Sequence, residues 1–289
     1  MERHLIFFKI RALGGALVYL PRCRRGVKRS LPASQSEDYT MIYSYESSRR
    51  ADACIEYLNG VEELGKFDSV ILLPIPSTRD NKTIMHTKVD INEVISKVDA
   101  GTLVSAYGIG EANLRALRDR GALAVDLSED EEFLVENAEL TAIATLGIFL
   151  TSTEISPRDA RVGVVGYGRI GKRLVNLFLY LGASVRVYTS RVDTRLDLCE
   201  YGVASVMSSA DADLSAIDLL INTAPARIFP PESVPKGLRI IDLASGENFV
   251  GVEGVERYPS VPAKMFPTSA GRVWGRALER HVKNFHKGG

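Results

Sequence analysis

The chain has 289 residues, enough for two ordinary domains, and 45% hydrophobic and 25% charged residues, which is typical of soluble globular proteins. Lys plus Arg and Asp plus Glu each number 36, so the charge balance gives no reason to expect nucleic acid or a membrane surface as a partner. Cys23, Cys54 and Cys199 lie far apart, which excludes a local metal-binding motif and favours a reducing, cytoplasmic compartment. We find no apolar run of transmembrane length. Lys9 and Arg11 interrupt the apolar N-terminal segment, so we expect no signal peptide.

The first half of the chain alternates apolar strand patterns with helical patterns, which predicts a parallel α/β sheet. A further helix, a poor one because Pro21 lies within it, is predicted from Ala16 to Lys28. The longest helical pattern without a breaker, 130–150, is interpreted as a connector between two domains. The predicted strands of this half are 5–13, 40–45, 67–77, 101–108 and 123–127, and its other predicted helices are 49–58, 91–98 and 111–121.

The segment 161–182 carries the clearest motif of the chain. An apolar run, Val162 to Val165, is followed by Gly166, Gly168 and Gly171 at the spacing G-x-G-x-x-G and then by an apolar helical periodicity. In strand–turn–helix context the first glycine permits a tight turn, the second lets pyrophosphate approach the backbone, and the third lets helix and strand pack closely. The helix N-terminus then favours phosphate. We predict dinucleotide binding; the alternative is a Rossmann-like domain that keeps the turn for packing alone.

The end of the next predicted strand bears on the choice of cofactor. NAD-binding domains usually place Asp or Glu there to bond the ribose 2′-hydroxyl, whereas this chain has Thr189, Ser190 and Arg191. Hydroxyls and a guanidinium suit a 2′-phosphate, because Arg binds phosphate bidentately. We therefore favour NADP(H), with a preference of roughly tenfold to over a hundredfold from one charge-assisted bond. NAD is the alternative, with Asp193 as the acid that would bind its ribose.

The second half continues the alternation and repeats the plan of the first. Its further predicted segments are a strand with its turn at 217–225, a last strand at 239–246, a loop at 246–267 and a closing helix at 268–285. Three pairs of segments look equivalent between the halves: 9–15 with 161–168, 67–76 with 217–225, and 101–108 with 237–246. We expect the ligand site in the cleft between the two domains, at the carboxyl ends of the strands.

These patterns predict an α/β fold with two Rossmann-like, doubly wound parallel-sheet domains joined by a long connector helix. The expected domains are a flavodoxin-like substrate or partner domain (1–130), closed by the C-terminal helix 270–286, and an NAD(P)-binding domain (131–269).

Several segments together resemble the dipicolinate synthase A-subunit family, a relative of the D-2-hydroxyacid dehydrogenases and adenosylhomocysteine hydrolases. They are GYGRIG, IDLLINTAPA, IIDLASG, the loop ending in FPTSAG and, in the first half, FDSVILLPIPST and NAELT, so the resemblance covers roughly 66–285. It implies nicotinamide-dependent oxidation of dihydrodipicolinate to dipicolinate in sporulating bacteria, together with a second, flavoprotein-like subunit. Related two-domain dehydrogenases dimerise through the connector, so we also expect a homodimer.

Candidate site residues follow from the glycine motif, the strand ends and this resemblance. For the cofactor they are Gly166, Tyr167, Gly168, Arg169, Ile170, Gly171, Thr189, Ser190, Arg191, Thr223, Ala224, Pro225, Leu243 and Ala244. For a dicarboxylate substrate they are Ser77, Thr78, Gly108, Thr141 and Ser245. The sequence assigns no catalytic residue and no metal site; Asp242 is weighed as a catalytic acid against an aspartate that caps a turn.

The chain departs from the family pattern at three places that would contact substrate. The family follows DLAS with Arg-Pro-Gly-Gly, has a lysine before the closing helix and has Thr-x-Glu-Gly in the connector; this chain has GENF at 246–249, PTSAG at 267–271 and TAIA at 141–144. Two alternatives therefore stay open: a non-catalytic NADP(H)-binding regulatory or scaffold protein, and another 2-hydroxyacid dehydrogenase-like enzyme. The four histidines, His4, His86, His281 and His286, lie away from the predicted cleft strands, which argues against a His–acid pair.

Overall fold

A computed structural model describes residues 8–11, 17–20, 40–200, 203–206, 213–226 and 228–287. The chain divides into two compact units, one formed by the described residues up to Leu134 together with those from Pro267 onward, and the other by Val135–Phe266. We call them unit 1 and unit 2. Each contains a parallel sheet covered by helices, which confirms the predicted α/β class.

The strands and helices are numbered here in chain order. The strands are β1 (Phe8–Arg11), β2 (Leu17–Leu20), β3 (Met41–Ser44), β4 (Ser69–Leu72), β5 (Thr102–Ala106), β6 (Leu123–Asp126), β7 (Arg161–Val165), β8 (Ser184–Tyr188), β9 (Ala204–Val206), β10 (Leu219–Asn222), β11 (Arg239–Asp242) and β12 (Val255–Arg257). The α-helices are α1 (Arg49–Leu58), α2 (Ile91–Ile95), α3 (Glu111–Asp119), α4 (Glu131–Thr151), α5 (Arg169–Tyr180), α6 (Val192–Glu200), α7 (Val261–Met265) and α8 (Pro267–Lys287).

The N-terminal edge of the unit 1 sheet corrects two predictions. The sheet order is β1-β2-β3-β4-β5-β6, with β3 to β6 parallel and β1 and β2 added as an antiparallel hairpin. The helix predicted from Ala16 to Lys28 is therefore wrong at 17–20, where Leu-Val-Tyr-Leu suits a strand. The equivalence of 9–15 with 161–168 is also wrong, because β1 pairs antiparallel whereas β7 is parallel to both of its neighbours.

The unit 1 sheet carries helices on both faces. One face packs against α2 and α3 through Val104, Leu114 and other buried apolar residues. Neighbouring Ser105 points to the opposite face, where its hydroxyl accepts a hydrogen bond of 2.7 Å from the indole Nε1 of Trp274 on α8. Trp274 is fully buried, so α8, the predicted closing helix, completes the core of unit 1.

Helix α8 packs unusually close to α1 through two glycines one turn apart. A Cβ on Gly271 would lie 2.4 Å from the carbonyl oxygen of Arg50 and 2.6 Å from the Cβ of Ala53. A Cβ on Gly275 would lie 2.5 Å from the ring of Tyr57. Glycine at both positions therefore lets the two backbones approach to a distance that no other residue permits.

The first turn of α4 is anchored within unit 1. Asp130 caps it by accepting a hydrogen bond of 2.9 Å from the backbone of Phe133, and Arg280 and His281 of α8 bind the same carboxylate. Burial raises the pKa of Asp130, but these hydrogen bonds and the charge of Arg280 outweigh burial and leave the pKa below its usual range.

Unit 2 is a six-stranded parallel sheet with the order β12-β11-β10-β7-β8-β9. The chain leaves β7 toward one edge and β10 toward the other, so the order reverses between these two central strands. Two segments differ from the prediction: β12 and α7 lie within 246–267, where the sequence predicts loop throughout.

Helix α4 confirms the predicted connector helix but corrects the statement about apolar runs. By length and composition it is able to cross a membrane, and it is the single such helix within the described residues. Its apolar character has another explanation, because Ala142, Ile148 and Phe149 are buried in the core of unit 2, where Phe149 meets the ring of Phe178 edge-on at 5.4 Å.

Candidate functional site

The turn after β7 has the backbone geometry that the glycine motif predicts. Gly166 adopts a φ of +85°, which residues with side chains rarely adopt. A Cβ on Gly166 would also lie 2.9 Å from the Thr223 hydroxyl oxygen. Gly171 faces the same turn from α5, where a Cβ would lie 2.2 Å from the carbonyl oxygen of Gly166. Both glycines are therefore required by contacts inside the protein.

Gly168 differs from these two glycines, since within the described part of the chain no atom beyond its own neighbours in sequence lies within 4 Å of the position that a Cβ would take. Its backbone (φ −80°, ψ −162°) is extended and open to any residue, so the protein's own packing gives no reason for glycine here. Gly168 is also the N-cap of α5, and as a glycine it has no side chain with which to cap that helix end. The first turn of a helix carries backbone N–H groups without intrahelical partners, and these groups favour an anion. The open space beside Gly168 thus fits a pyrophosphate.

The glycine turn lies where the strand order of unit 2 reverses, between the carboxyl ends of β7 and β10. Thr223 joins the two strand ends, because its backbone N–H and its hydroxyl both donate to the carbonyl of Val165, at 2.9 Å and 2.8 Å. In open α/β sheets this position is where ligands bind. The neighbouring Ala224 is half-buried and Pro225 is exposed.

A buried polar network supports the next two strand ends. The Asn222 side-chain amide donates to the Asp242 carboxylate at 2.8 Å, and the backbone of Ala244 donates to the same oxygen at 3.2 Å. The Asn248 amide lies 3.5 Å from both carboxylate oxygens. Asp242 is almost fully buried, so the turn-capping interpretation of this residue is supported over the catalytic one. The network shapes the segment that contains Leu243.

The segment that follows β8 contains the residues expected to select the cofactor. The Thr189 hydroxyl accepts a hydrogen bond of 3.2 Å from the backbone of Arg191, and Ser190 is exposed. The guanidinium of Arg191 binds Asp193 through two contacts, Nε to Oδ1 at 3.2 Å and a terminal nitrogen to Oδ2 at 2.5 Å. The sequence placed both residues here but did not predict that they pair.

The other cofactor candidates lie around the same turn. Tyr167 is half-buried, and the ammonium of Lys172 lies 5.5 Å from the centre of its ring. Arg169 is exposed at the first position of α5, and Ile170 packs against the core of unit 2. Within unit 2, the candidates for dinucleotide binding thus gather at one end of one sheet.

Most of the candidate substrate hydroxyls are engaged within the chain. The Ser77 hydroxyl is fully buried, donates to the carbonyl of Pro74 and accepts from the backbone of Tyr107. The Thr141 hydroxyl donates 2.8 Å back to Asn137, one turn earlier in α4. Both hydroxyls therefore bind groups within the chain.

Three further substrate candidates complete the set. The Thr78 hydroxyl, also buried, accepts from the backbone of Asn81 at 3.2 Å. The backbone N–H of Gly108 donates to the Asp126 carboxylate at 2.8 Å. Ser245 is exposed in the loop after β11.

Two buried acidic groups in unit 1 were missed by the sequence analysis. Asp126 ends β6 and holds the turn after β5 through the backbones of Gly108 and Ile109; burial raises its pKa, but the hydrogen bonds outweigh burial and lower it. Glu46 follows β3 and forms a buried ion pair of 2.8 Å with Arg50. The sequence signal for Asp126 is an aspartate at the end of an apolar strand, as at Asp242.

The histidines take no part in the candidate cofactor site within the described residues. His86 is exposed, His281 binds Asp130 in unit 1, and His286 packs its ring 5.7 Å from that of Phe67. His4 lies outside the described residues. The described part of the chain contains no group of acidic, histidine or cysteine side chains able to hold a metal ion.

Comparison with known proteins finds similarity at the level of structure. No family model and no curated protein matches the chain. The A-subunit of dipicolinate synthase from Bacillus halodurans matches with a TM-score of 0.64 at 23% identity, over 82% of this chain and 94% of that one. The fold is similar to that of the dipicolinate synthase A-subunit. The corresponding chain of the Bacillus subtilis dipicolinate synthase matches likewise, with a TM-score of 0.63 at 20% identity over 79% and 83% of the two chains.

A more distant match links this fold to the hydroxyacid dehydrogenases. The NAD-complexed D-isomer-specific 2-hydroxyacid dehydrogenase from Lactobacillus delbrueckii ssp. bulgaricus has a TM-score of 0.51 at 11% identity, over 86% of this chain and 97% of that one. These similarities confirm the resemblance predicted from the sequence at the level of the fold, and the fold is one that oxidoreductases use.

Proposed function

We propose that the protein is a nicotinamide-dependent oxidoreductase that, with a second, flavoprotein-like subunit, oxidises dihydrodipicolinate to dipicolinate. The observation that carries the proposal is the glycine turn of unit 2. Gly166 and Gly171 are explained by packing, whereas Gly168 leaves open space at a helix N-terminus at the point where the strand order reverses. A dinucleotide pyrophosphate is the ligand that this arrangement fits. The bound cofactor supplies a hydride acceptor, and the chain's residues hold it.

NADP(H) is the proposed cofactor, with NAD(H) as the alternative. Arg191 and the hydroxyls of Thr189 and Ser190 follow β8 at the position that contacts the ribose in proteins of this fold. A guanidinium there favours a 2′-phosphate. The cofactor residues support the proposal more than the substrate candidates do, because the hydroxyls of Ser77 and Thr141 already bind groups within the chain.

The proposed activity is tested by following reduced nicotinamide at 340 nm. Purified protein, NADP⁺ and dihydrodipicolinate should give an increase in absorbance in the presence of a flavoprotein-like second subunit, and none when substrate is omitted. Malate and lactate serve as the substrates of the 2-hydroxyacid alternative. Tight nucleotide binding without turnover in any mixture would instead support the regulatory or scaffold protein.

A homodimer is proposed on the basis of α4. Ile143 and Leu150 of this helix remain 40% and 51% exposed, and their spacing of seven positions places both on the same helix face. We expect a dimer at micromolar concentration in sedimentation velocity experiments, and dissociation when Ile143 and Leu150 are both replaced by Glu. Replacement of the exposed Leu179 on α5 by Glu is the matched control and should leave the dimer intact. A monomeric wild-type protein would contradict the proposal.

A further inference from the structure

The Arg191 side chain is already bound to a carboxylate within the chain. Two of its guanidinium nitrogens face the two oxygens of Asp193, at 3.2 Å and 2.5 Å, in the side-by-side arrangement that arginine also uses for phosphate. Both side chains are largely exposed, at 74% and 64%. The N–H donors of Arg191 that a phosphate arriving from solvent would use are therefore already bound to the Asp193 carboxylate.

Asp193 is held in place independently of Arg191. It lies in the first turn of α6, where a negative charge is favoured, and its Oδ1 accepts a hydrogen bond of 2.8 Å from the backbone of Thr194. The hydrogen bond from Arg191, with that from Thr194, lowers the pKa of Asp193 to about 2, so this carboxylate is ionised at neutral pH. Arg191 is also fixed at its backbone, through Thr189.

We propose that Asp193 is a specificity-determining residue that competes with the 2′-phosphate of NADP(H) for the guanidinium of Arg191. This inference rests on the proposed nucleotide site. An exposed ion pair is weak enough for a phosphate to displace it, yet the displaced carboxylate remains beside the phosphate and repels it. Asp193 thus lowers the NADP(H) preference below the value that Arg191 would give alone and brings the two cofactors closer in affinity.

The test is a set of dissociation constants for NADPH and NADH, measured by calorimetric titration. Asp193→Asn should bind NADPH about tenfold more tightly than wild type, because one negative charge and one competitor are removed, and its affinity for NADH should change much less. Adding Arg191→Ala to this variant should abolish the gain, since the released guanidinium is what binds the phosphate.

The chain offers a matched control at the opposite end of the same sheet. Arg161, at the start of β7, forms a pair of the same kind with Asp218 at 2.6 Å, its side chains 53% and 22% exposed, and Asp218→Asn should leave both affinities unchanged. If the ratio of NADPH to NADH affinity in Asp193→Asn stays within twofold of the wild-type ratio, the proposed competition is wrong. A selective loss of NADH binding would contradict it as well. Neither result would contradict the nucleotide site itself. Failure of the wild-type protein to bind either nucleotide would overturn both proposals.

Discussion

Replacement of Gly168 by Leu is expected to weaken dinucleotide binding by more than about a hundredfold, roughly 3 kcal/mol, while the protein stays folded. The side chain would enter the space beside the N-terminus of α5, which the described residues leave open, and would hold a pyrophosphate away from the backbone. The extended backbone of Gly168 accepts any residue, so the protein should stay folded, with thermal unfolding lowered only slightly because Leu is a poorer N-cap than Gly. Calorimetric titration with NADPH and NADH, beside a thermal melt, measures both quantities.

Substitutions at two other glycines serve as controls for this experiment. Gly65, in unit 1, likewise has no atom of the described residues, apart from its neighbours in sequence, within 4 Å of the Cβ position, so Gly65→Leu should alter neither binding nor melting. Gly171→Ala should lower both, because its Cβ would lie 2.2 Å from a backbone oxygen of the turn. Equal nucleotide affinity in Gly168→Leu and wild type would rule out the pyrophosphate assignment, whatever the melting data show.

Replacement of Trp274 by Ala is expected to destabilise unit 1 by about 3–5 kcal/mol, since it removes the largest fully buried side chain and leaves a cavity. The Arg50 guanidinium, 5.7 Å from the ring centre, would lose its aromatic partner as well. Trp274→Phe should cost less, about 1–3 kcal/mol, because the ring is largely kept but the Ser105 hydroxyl loses its donor.

Urea denaturation followed by circular dichroism gives these free energies; fluorescence is unsuitable because Trp274 is the chain's sole tryptophan. The control is Tyr180→Ala, at a side chain that is 90% exposed, which should change stability by less than about 0.5 kcal/mol. A transition for Trp274→Ala that coincides with wild type would show that α8 does not complete the unit 1 core as described.

The sequence was most informative where structure depends on neighbours along the chain. The glycine turn could be predicted in detail because β7, the turn and α5 are consecutive, and Gly166 and Gly171 are required by contacts within that segment or with neighbouring Thr223. The connector and closing helices were predicted for the same reason, from periodicity without breakers. The hairpin of β1 and β2 was not, because a short apolar run suits a strand or a helix equally well until its partner strand is known.

The polar networks required knowledge of which strands lie side by side. Asp242 binds Asn222, twenty positions earlier, because β10 and β11 are adjacent and in register. Asp126 reaches Gly108 in the same way from β6 to the turn after β5. The Ser77 hydroxyl looked available for a ligand because its partner, the backbone of Tyr107, lies thirty positions away.

The return of α8 to unit 1 has a consequence for the order in which the protein is made. On the ribosome, Val135–Phe266 is complete before Pro267–Lys287 has been synthesised. Helix α1 packs against α8, which lies more than 200 positions later in the chain and is therefore made long after it. Until then the surface of α1 that receives Gly271 and Gly275 stays uncovered, together with the Ser105 face of the sheet. The unit that starts first is thus finished last, and its nascent form presents the apolar surface that chaperones bind.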